Sequence, residues 1–314
     1  MSLAIGVDIG GTKVAAGVVD GAGRVLARSR RPSPSTDPAA IEVVVADAVA
    51  ELREEHPGVV AVGVGAAGFV DVARAVVLFA PNLAWRHERL RDRLTARIGL
   101  PVVVENDANA MAWAESRFGA GRGVPDVCAL TVGTGIGGGI VLGGRLYRGA
   151  AGIAAEPGHV RVVPDGRRCG CGNRGCWEQY ASGRALVTEA REAAAAAPDE
   201  AARLLELADG VSSDIQGRDV TEAAREGDPL ALECFAVVGG WLGQGMADLA
   251  AVLDPGRFVI GGGVSAAGEL LLAPARAAFA AALTGRGHRP LASIVAAALG
   301  AEAGLVGAAD LARP

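Results

Sequence analysis

Lysine is almost absent from this sequence of 314 residues: Lys13 is the only lysine among 30 basic residues, and the others are arginine. Aromatic residues make up only 4% of the chain while 51% of it is hydrophobic, so the core must consist largely of Ala, Val and Leu. The formal net charge is −5 and no basic stripe is present, which argues against nucleic acid as a direct partner.

Long uninterrupted apolar runs and abundant cysteines are also lacking. The apolar stretch from Val59 to Val70 is broken by glycines and is too short to cross a bilayer. A strand-like run begins almost directly after Met1, which leaves no room for a signal peptide. We therefore expect a cytoplasmic protein without a membrane segment, in which clustered cysteines favour metal over disulfides.

Glycine, by contrast, is abundant, with 46 residues. Two glycine-rich segments are predicted to form strand–turn–strand units. The first spans Ile5–Val19 and the second spans Leu130–Arg145. Glycine permits positive φ and lets backbone N–H groups approach a ligand, so such turns form concave sites suited to phosphate. We interpret the two units as the halves of a nucleotide clamp. A third glycine turn, Gly261–Gly263, precedes a predicted helix whose start suits a phosphate or ribose.

Two alternative interpretations of these turns need weighing. The pattern Gly133-x-Gly135-x-x-Gly138 fits a dinucleotide-binding fingerprint, but that fingerprint requires a helix after the turn, and here an apolar strand follows. A plain glycine-rich hairpin remains open for either unit taken alone. Two explanations of the single lysine remain open. Either the scarcity of lysine reflects nucleotide composition alone, or Lys13 is kept because its compact charge lies near phosphate.

Strand-like and helix-like stretches alternate along the chain, which predicts an α/β protein. We expect a smaller N-terminal domain over residues 1–119 and a larger C-terminal domain over residues 120–300, with the boundary in the glycine-rich segment 119–125. The last helix, within residues 301–314, is predicted to pack back on the first domain. Helices are predicted from Pro38 and over residues 90–98, 110–118, 182–197, 201–207, 230–253 and 301–311.

Acidic and amide residues cluster where the strand Val102–Val104 ends, in the sequence Glu105-Asn106-Asp107-Ala108-Asn109. Ligand sites of open α/β sheets lie beyond the carboxyl ends of the strands. A helix N-cap would explain one of these residues and leave the others unexplained. The cluster favours Asp107 as a general base and Asn106 as a hydrogen-bonding partner of substrate hydroxyls.

Three of the five cysteines lie within eight residues, and a histidine precedes them by ten positions. Three thiolates and one imidazole form a closed tetrahedral zinc set, so the zinc would be structural. An unliganded or redox-active cysteine pair is the alternative. The zinc would fix Glu156 and Glu178 on the two sides of the cluster. The predicted zinc ligands are His159, Cys169, Cys171 and Cys176.

Taken together, these motifs resemble the ROK sugar kinases, a family that also contains sugar-responsive repressors. The shared motifs are DIGGT at 8–12, ENDAN at 105–109, GTGIGGG at 133–139, EPGH at 156–159 and CGCGNRGCWE at 169–178. The resemblance is strongest to the bacterial ATP-dependent glucokinases, and it implies phosphorylation of glucose to glucose 6-phosphate. It also implies the two-lobed actin-like ATPase and sugar kinase fold, with duplicated sheets, flanking helices, and ATP and sugar in the cleft between the lobes.

The resemblance implies a role for each motif. Asp107 would be the base that takes the proton from the sugar hydroxyl, and Asp8 would hold Mg²⁺. The sugar would be bound by Gly65, Asn106, Asp107, Glu156, His159 and Glu178. The ATP phosphates would lie against Gly10, Gly11, Thr12, Thr134 and Gly135, with Lys13 and Gly133 in the same two turns. The adenosine would lie near Gly261, Gly262 and Gly263.

Two positions depart from the family pattern. Ala155 stands where many members have glycine, and Pro157 stands where a larger apolar residue is common. Both flank the predicted sugar site, so a ROK kinase for N-acetylmannosamine, N-acetylglucosamine, fructose or allose is the alternative to a glucokinase. A sugar-responsive regulator is disfavoured, because such members carry an N-terminal helix-turn-helix and here the phosphate motif begins at Asp8. The resemblance also implies a homo-oligomer, either a dimer or a tetramer.

Overall fold

The computed structural model describes residues 2–314, and it confirms the predicted α/β fold class. The strands are β1 (Leu3–Ile9), β2 (Lys13–Val19), β3 (Val25–Pro32), β4 (Val59–Ala66), β5 (Phe69–Val70), β6 (Val77–Phe79), β7 (Arg86–Glu88), β8 (Val102–Asn106), β9 (Val127–Val132), β10 (Ile136–Leu142), β11 (Arg145–Tyr147), β12 (Arg257–Gly261) and β13 (Ser293–Ala296). The α-helices are α1 (Pro38–Glu55), α2 (Leu90–Ile98), α3 (Asp107–Phe118), α4 (Glu178–Ala181), α5 (Gly183–Ala196), α6 (Ala202–Leu207), α7 (Gly217–Glu226), α8 (Pro229–Leu253), α9 (Glu269–Ala282) and α10 (Ala303–Ala312).

Three sheets organise these elements. The first has the order β3-β2-β1-β4-β8, the second β11-β10-β9-β12-β13, and the third, smaller sheet β5-β6-β7. In the first sheet, β1 pairs in parallel with β4, and β4 pairs in parallel with β8, whereas β2 and β3 form an antiparallel meander. β1 and β4 are nearly continuous apolar runs, as expected of parallel strands that are covered on both faces.

The chain divides into two compact units. Unit 1 comprises Met1–Ala129, Gly138–Ala155 and Ala297–Pro314, and unit 2 comprises Leu130–Gly137 and Glu156–Ala296. Met1 itself lies outside the described residues. The domain boundaries after residues 119 and 300 stay a prediction.

Within unit 1, helix α10 packs against β1, β4 and α3. Glycines make this close approach possible. A Cβ on Gly6 would lie 1.9 Å from the Leu305 carbonyl oxygen, and a Cβ on Gly63 would lie 1.7 Å from that of Ala308. Both distances are far below contact, so the helix backbone can lie this close to the sheet only because these strand positions lack side chains.

Within unit 2, helix α8 packs against α4, α5, α7 and α9. By length and composition it is the one described helix that could cross a membrane, although 44% of its most apolar window is buried inside the protein. Its length agrees with the helix predicted over residues 230–253. Helical periodicity predicts Val237 and Val252 on the buried face of this helix, and this is wrong, because Val237 is 38% exposed and Val252 is 81% exposed.

The ends of several helices follow from local capping. Asp37 accepts hydrogen bonds from the backbone N–H groups of Ala39 and Ala40, and Pro38 opens α1, as predicted. Helix α3 begins at Asp107, three residues before its predicted start, because the side chain of Asn106 caps the N–H of Asn109. After the third glycine turn, a short 3₁₀ helix over Gly263–Ala267 delays the predicted helix.

Candidate functional site

The carboxyl ends of three neighbouring strands bring together residues from three separate motifs. In the parallel register, Asp8 at the end of β1 lies beside Gly65 of β4, and Gly65 lies beside Glu105 of β8. One residue further along, Ala66 pairs with Asn106, and Asp107 follows as the first residue of α3. The first sheet of unit 1 thus carries three carboxylates, those of Asp8, Glu105 and Asp107, and one amide at the carboxyl ends of its strands, where α/β proteins bind ligands.

Asp107 is the most perturbed carboxylate at this edge. Burial, together with the nearby charge of Asp8, raises the pKa of Asp107 to about 6, while the N–H of Ala108 opposes the shift. Burial also raises the pKa of Asp8, against the lowering effect of Lys13. A carboxylate whose pKa lies close to neutral pH is suited to accept a proton during a reaction.

Both polar atoms of the Asn106 side chain form hydrogen bonds within the protein. Its Nδ2 donates to the carbonyl oxygen of Gly68 over 3.1 Å, and its Oδ1 accepts from the Asn109 N–H over 2.9 Å. An amide has a second N–H donor and a second lone pair, so both atoms keep capacity for a ligand. The N-cap interpretation and the ligand interpretation of Asn106 are therefore compatible.

The first glycine turn connects β1 and β2. The Gly10 N–H donates to the Lys13 carbonyl oxygen over 3.0 Å and closes the turn. Neither Gly10 nor Gly11 has positive φ, and Cβ atoms built on them would make only ordinary contacts, with the Lys13 carbonyl oxygen and with Asn82 respectively. The fold therefore does not require glycine at these two positions. Close approach of a ligand to the backbone is the remaining physical reason for it.

The second glycine turn, in unit 2, connects β9 and β10. No atom of the described residues lies within 4 Å of a Cβ built on Gly133. A Cβ on Gly135 would lie 2.3 Å from a carboxylate oxygen of Glu178, and the same oxygen accepts from the Ile136 N–H over 3.4 Å. The backbone of this turn thus lies directly against the carboxylate of Glu178.

Glu178 also contacts the cysteine cluster. Its Oε1 lies 3.0 Å from Cys169 Sγ and 3.9 Å from His159 Nδ1. Glu156 is the residue before the 3₁₀ helix Pro157–His159, and its carbonyl oxygen accepts from the His159 N–H. The loop thus links the histidine and the two glutamates predicted from the sequence, and Pro157 occupies a first-turn position that suits proline.

The four predicted metal ligands converge on one point of unit 2. The donor atoms of His159, Cys169, Cys171 and Cys176 all lie within 4.8 Å of one another. The separation is 3.6 Å both between Cys169 Sγ and His159 Nδ1 and between Cys171 Sγ and Cys176 Sγ. Ligands about 2.3 Å from a tetrahedral zinc ion lie about 3.8 Å apart, so this donor set fits zinc in both chemistry and size.

A cavity of about 760 Å³ adjoins the third glycine turn in unit 2. Gly263 and Val264 form one wall, and α7 forms another with Arg218, Thr221 and Arg225. The sequence analysis missed α7. Its local signals were nevertheless present, because Gln216 and Asp219 form a capping box and Gly227 ends the helix in a left-handed conformation.

Comparison with known proteins assigns the chain to a family. A family model described as "ROK family" matches residues 4–314. The chain belongs to the ROK family. Among ROK proteins, a glucokinase of Streptomyces coelicolor is 54% identical over 313 residues, which cover 100% of this chain and 98% of that protein.

Solved structures of ROK proteins share the fold. A ROK family glucokinase from Streptomyces griseus, crystallised with glucose and AMPPNP, superposes with a TM-score of 0.88 at 58% identity and covers 99% of both chains. The ROK hexokinase of Thermus thermophilus has a TM-score of 0.80 at 36% identity, covering 99% of this chain and 97% of that one. The predicted family and fold class are both confirmed.

The predicted ROK site residues are divided between the two units. Unit 1 contains Asp8, Gly10, Gly11, Thr12, Lys13, Gly65, Asn106 and Asp107. Unit 2 contains Gly133, Thr134, Gly135, Glu156, His159, Cys169, Cys171, Cys176, Glu178, Gly261, Gly262 and Gly263. In unit 1, Asp8, Gly65, Asn106 and Asp107 lie at neighbouring strand ends. In unit 2, Gly135, His159, Cys169 and Glu178 lie close together.

Proposed function

We propose that this protein is an ATP-dependent glucokinase that converts glucose and ATP into glucose 6-phosphate and ADP. The observation that carries the proposal is the edge of the first sheet, where Asp107, with its pKa raised to about 6, lies near Asp8 at the ends of parallel strands. The full-length similarity to glucokinases, one of them crystallised with glucose and AMPPNP, supports glucose and ATP as the substrates.

In the proposed reaction, Asp107 is the general base. Its carboxylate accepts the proton of the glucose 6-hydroxyl as that oxygen attacks the γ-phosphorus of ATP. The new oxygen–phosphorus bond forms while the bond to the β-phosphate oxygen breaks, and ADP leaves with that electron pair. With a pKa of about 6, Asp107 is largely ionised at pH 7, yet it remains basic enough to hold the proton.

The sugar-binding residues would combine carboxylates, an amide and an imidazole, which suit a ring with several hydroxyls. We assign this role to Gly65, Asn106, Asp107, Glu156, His159 and Glu178. Buried acceptors that lose a hydroxyl partner remain unpaired, so such a site rejects analogues that lack one hydroxyl. Ala155 and Pro157 flank this set, and for that reason a panel of hexoses belongs in the test.

The nucleotide would lie along the glycine turns. Gly10, Gly11, Thr12 and Lys13 from one turn, and Gly133, Thr134 and Gly135 from the other, would approach the phosphates. Asp8 offers the carboxylate oxygen that Mg²⁺ prefers, and this ion neutralises phosphate charge when it is bound. The cavity bounded by Gly263 and α7 would hold the adenosine. Gly261 and Gly262 directly precede Gly263 in the same turn and are assigned to the adenosine with it.

The zinc proposal assigns a structural ion to His159, Cys169, Cys171 and Cys176. The contact between Cys169 and Glu178 means that this ion would fix a sugar-binding carboxylate through the loop that carries it. We expect about one zinc per chain by metal analysis of the purified protein. Full activity in protein shown to contain no zinc would contradict this role.

The function is tested by measuring ADP release with ATP, Mg²⁺ and a panel of hexoses. We expect glucose to have the highest kcat/KM, and Asp107→Asn to lower kcat by about 10²–10⁴-fold because the base is lost. Asp47→Asn, an equivalent change at an exposed position of α1, is the control and should retain activity. Faster turnover of another hexose would reassign the substrate, and no turnover of any sugar would favour a sugar-binding regulator.

The assembly and location of the protein are part of the same proposal. We expect a cytoplasmic homo-oligomer, either a dimer or a tetramer, whose partners are glucose and ATP and not nucleic acid or membrane. Light scattering coupled to size-exclusion chromatography measures the mass directly. A single species with the mass of one chain would contradict the oligomer, and recovery of the protein in the membrane fraction would contradict its location.

A further inference from the structure

Glu105 is a buried charge that the proposed reaction does not use. Its side chain is 1% exposed, and it directly precedes Asn106 and Asp107. Its Oε1 accepts from the Asn106 N–H over 3.0 Å and from Asn109 Nδ2 over 3.1 Å. The carboxylate therefore contacts residues at both ends of the first turn of α3, the turn that contains Asp107.

Arg148 neutralises this buried carboxylate. Its Nε lies 2.8 Å from Glu105 Oε2, and the guanidinium is only 9% exposed. Its two terminal nitrogens donate to the carbonyl oxygens of Val72 and Asp71, over 2.8 and 2.9 Å. One planar side chain thus ties the strand end that precedes Asp107 to a second, separate segment of unit 1, and arginine can do so because its donors are fixed in a fork.

The turn around residues 71–74 makes further contacts with Glu105 and with the segment that follows Arg148. Arg74, in a left-handed conformation with φ of 54°, places its Nε 3.0 Å from Glu105 Oε2. A Cβ on Gly152 would lie 2.6 Å from the Val70 carbonyl oxygen, so the segment that follows Arg148 lies directly on this turn. Glu105 therefore joins three stretches of unit 1: the start of α3, the turn around residues 71–74, and residues 148–152.

We propose that Glu105 and Arg148 form a positioning pair for the phosphoryl-transfer site. Neither residue has a role in the reaction proposed above. The pair fixes the first turn of α3, and with it the direction in which the Asp107 carboxylate points. A buried carboxylate needs compensating partners, and loss of Arg148 leaves Glu105 with Arg74 as its one charged partner and without the tie to Asp71 and Val72. Glu105 then loosens, and the turn moves with it. The proposal rests on the role of Asp107 given above.

Steady-state kinetics of Arg148→Met, Glu105→Gln and the double variant test the pair. We expect Arg148→Met to lower kcat for glucose by about 10²-fold, the effect of a base displaced by about 1 Å. The double variant should be no slower than the slower single variant, because each residue acts through the other. Arg148→Lys should recover part of kcat, since it keeps the charge but cannot engage all three partners.

Arg93→Met is the control. Arg93 pairs with Glu42, which is 3% exposed and has a second arginine partner, Arg97, just as Glu105 has Arg74. Arg93 itself is 52% exposed and also pairs with Glu88. We expect this control to lower the melting temperature but to keep kcat within about twofold of wild type, because the pair lies between α1 and α2 and does not contact α3. Equal losses of kcat in Arg93→Met and Arg148→Met would overturn the positioning role, as would a folded Arg148→Met with wild-type kcat.

Hydrogen exchange separates failure of the pair from failure of the proposed function. If wild type phosphorylates no sugar, the glucokinase proposal fails, and the pair is judged by the amides of residues 106–109. Faster exchange at these amides in Arg148→Met than in Arg93→Met supports the pair. Equal exchange in the two variants overturns it, whatever the kinetics show.

Discussion

Replacing the proposed base by asparagine should make the unliganded protein more stable at neutral pH. Burial raises the pKa of Asp107 from 3.8 to about 6, with Asp8 adding to the shift. The folded protein thus holds this proton more tightly than the unfolded chain does. As the pH rises from about 4 through the folded pKa of about 6, the folded state progressively loses that advantage, and by about pH 7 the loss is nearly complete.

The size of the effect follows from the same pKa values. A rise from 3.8 to about 6 corresponds to about 3 kcal/mol of unfolding free energy at pH 7. Asp107 keeps some exposed surface, and solvent screens part of the interaction, so about 3 kcal/mol is an upper bound. Asparagine cannot ionise. The variant should therefore match wild type near pH 4 and exceed it increasingly up to pH 7.

Urea unfolding of both proteins, without ligands and from about pH 4 to about pH 8, measures this difference. The Asp8→Asn background provides a second check, because removing that charge lowers the pKa of Asp107, and the gain from Asp107→Asn should then shrink. A difference in stability that does not change with pH, or a variant less stable than wild type at pH 7, would refute the reasoning.

Three further outcomes are expected. The kcat/KM for glucose should fall about tenfold from pH 7 to pH 5, as Asp107 with a pKa of about 6 becomes protonated; a flat pH profile would argue against this base. Ala155→Gly should raise stability by about 0.5–1 kcal/mol in thermal unfolding, because Ala155 has a φ of 68° and glycine adopts this conformation without strain. Gly63→Ala should destabilise the protein by more than about 3 kcal/mol or prevent folding, since its Cβ would lie 1.7 Å from the Ala308 carbonyl oxygen; wild-type stability by circular dichroism would contradict this packing.

Features that depend on a few adjacent residues could be predicted from the sequence. The start of α1 at Asp37-Pro38 and the strand–turn–strand units around both glycine turns are local, and they are confirmed. The convergence of the four zinc-type donors also follows from short spacing, because three of them lie within eight residues. Short spacing restricts the possible distances between such residues, because few backbone conformations join positions so close in sequence. Their arrangement can therefore be predicted without knowledge of the tertiary fold.

Features that depend on distant partners could not be predicted in the same way. Glu105 and Arg148 are 43 positions apart, and no local pattern distinguishes Arg148 from the other arginines of this lysine-poor chain. Helical periodicity likewise misplaced Val252, because α8 packs against four helices and none of them covers this position near its C-terminus. Burial in these cases is set by tertiary packing, which a period of 3.6 residues does not encode.

The packing of α10 on the first sheet has a consequence for biosynthesis. β1 and β4 are synthesised long before α10, so the sheet face at Gly6 and Gly63 receives its cover only when residues 303–312 emerge. All of residues 156–296 are made in between, so unit 2 can complete its core before unit 1 does. We therefore expect unit 2 to fold before unit 1, although most of unit 1 is translated first, with the sheet face at Gly6 and Gly63 uncovered until α10 is made.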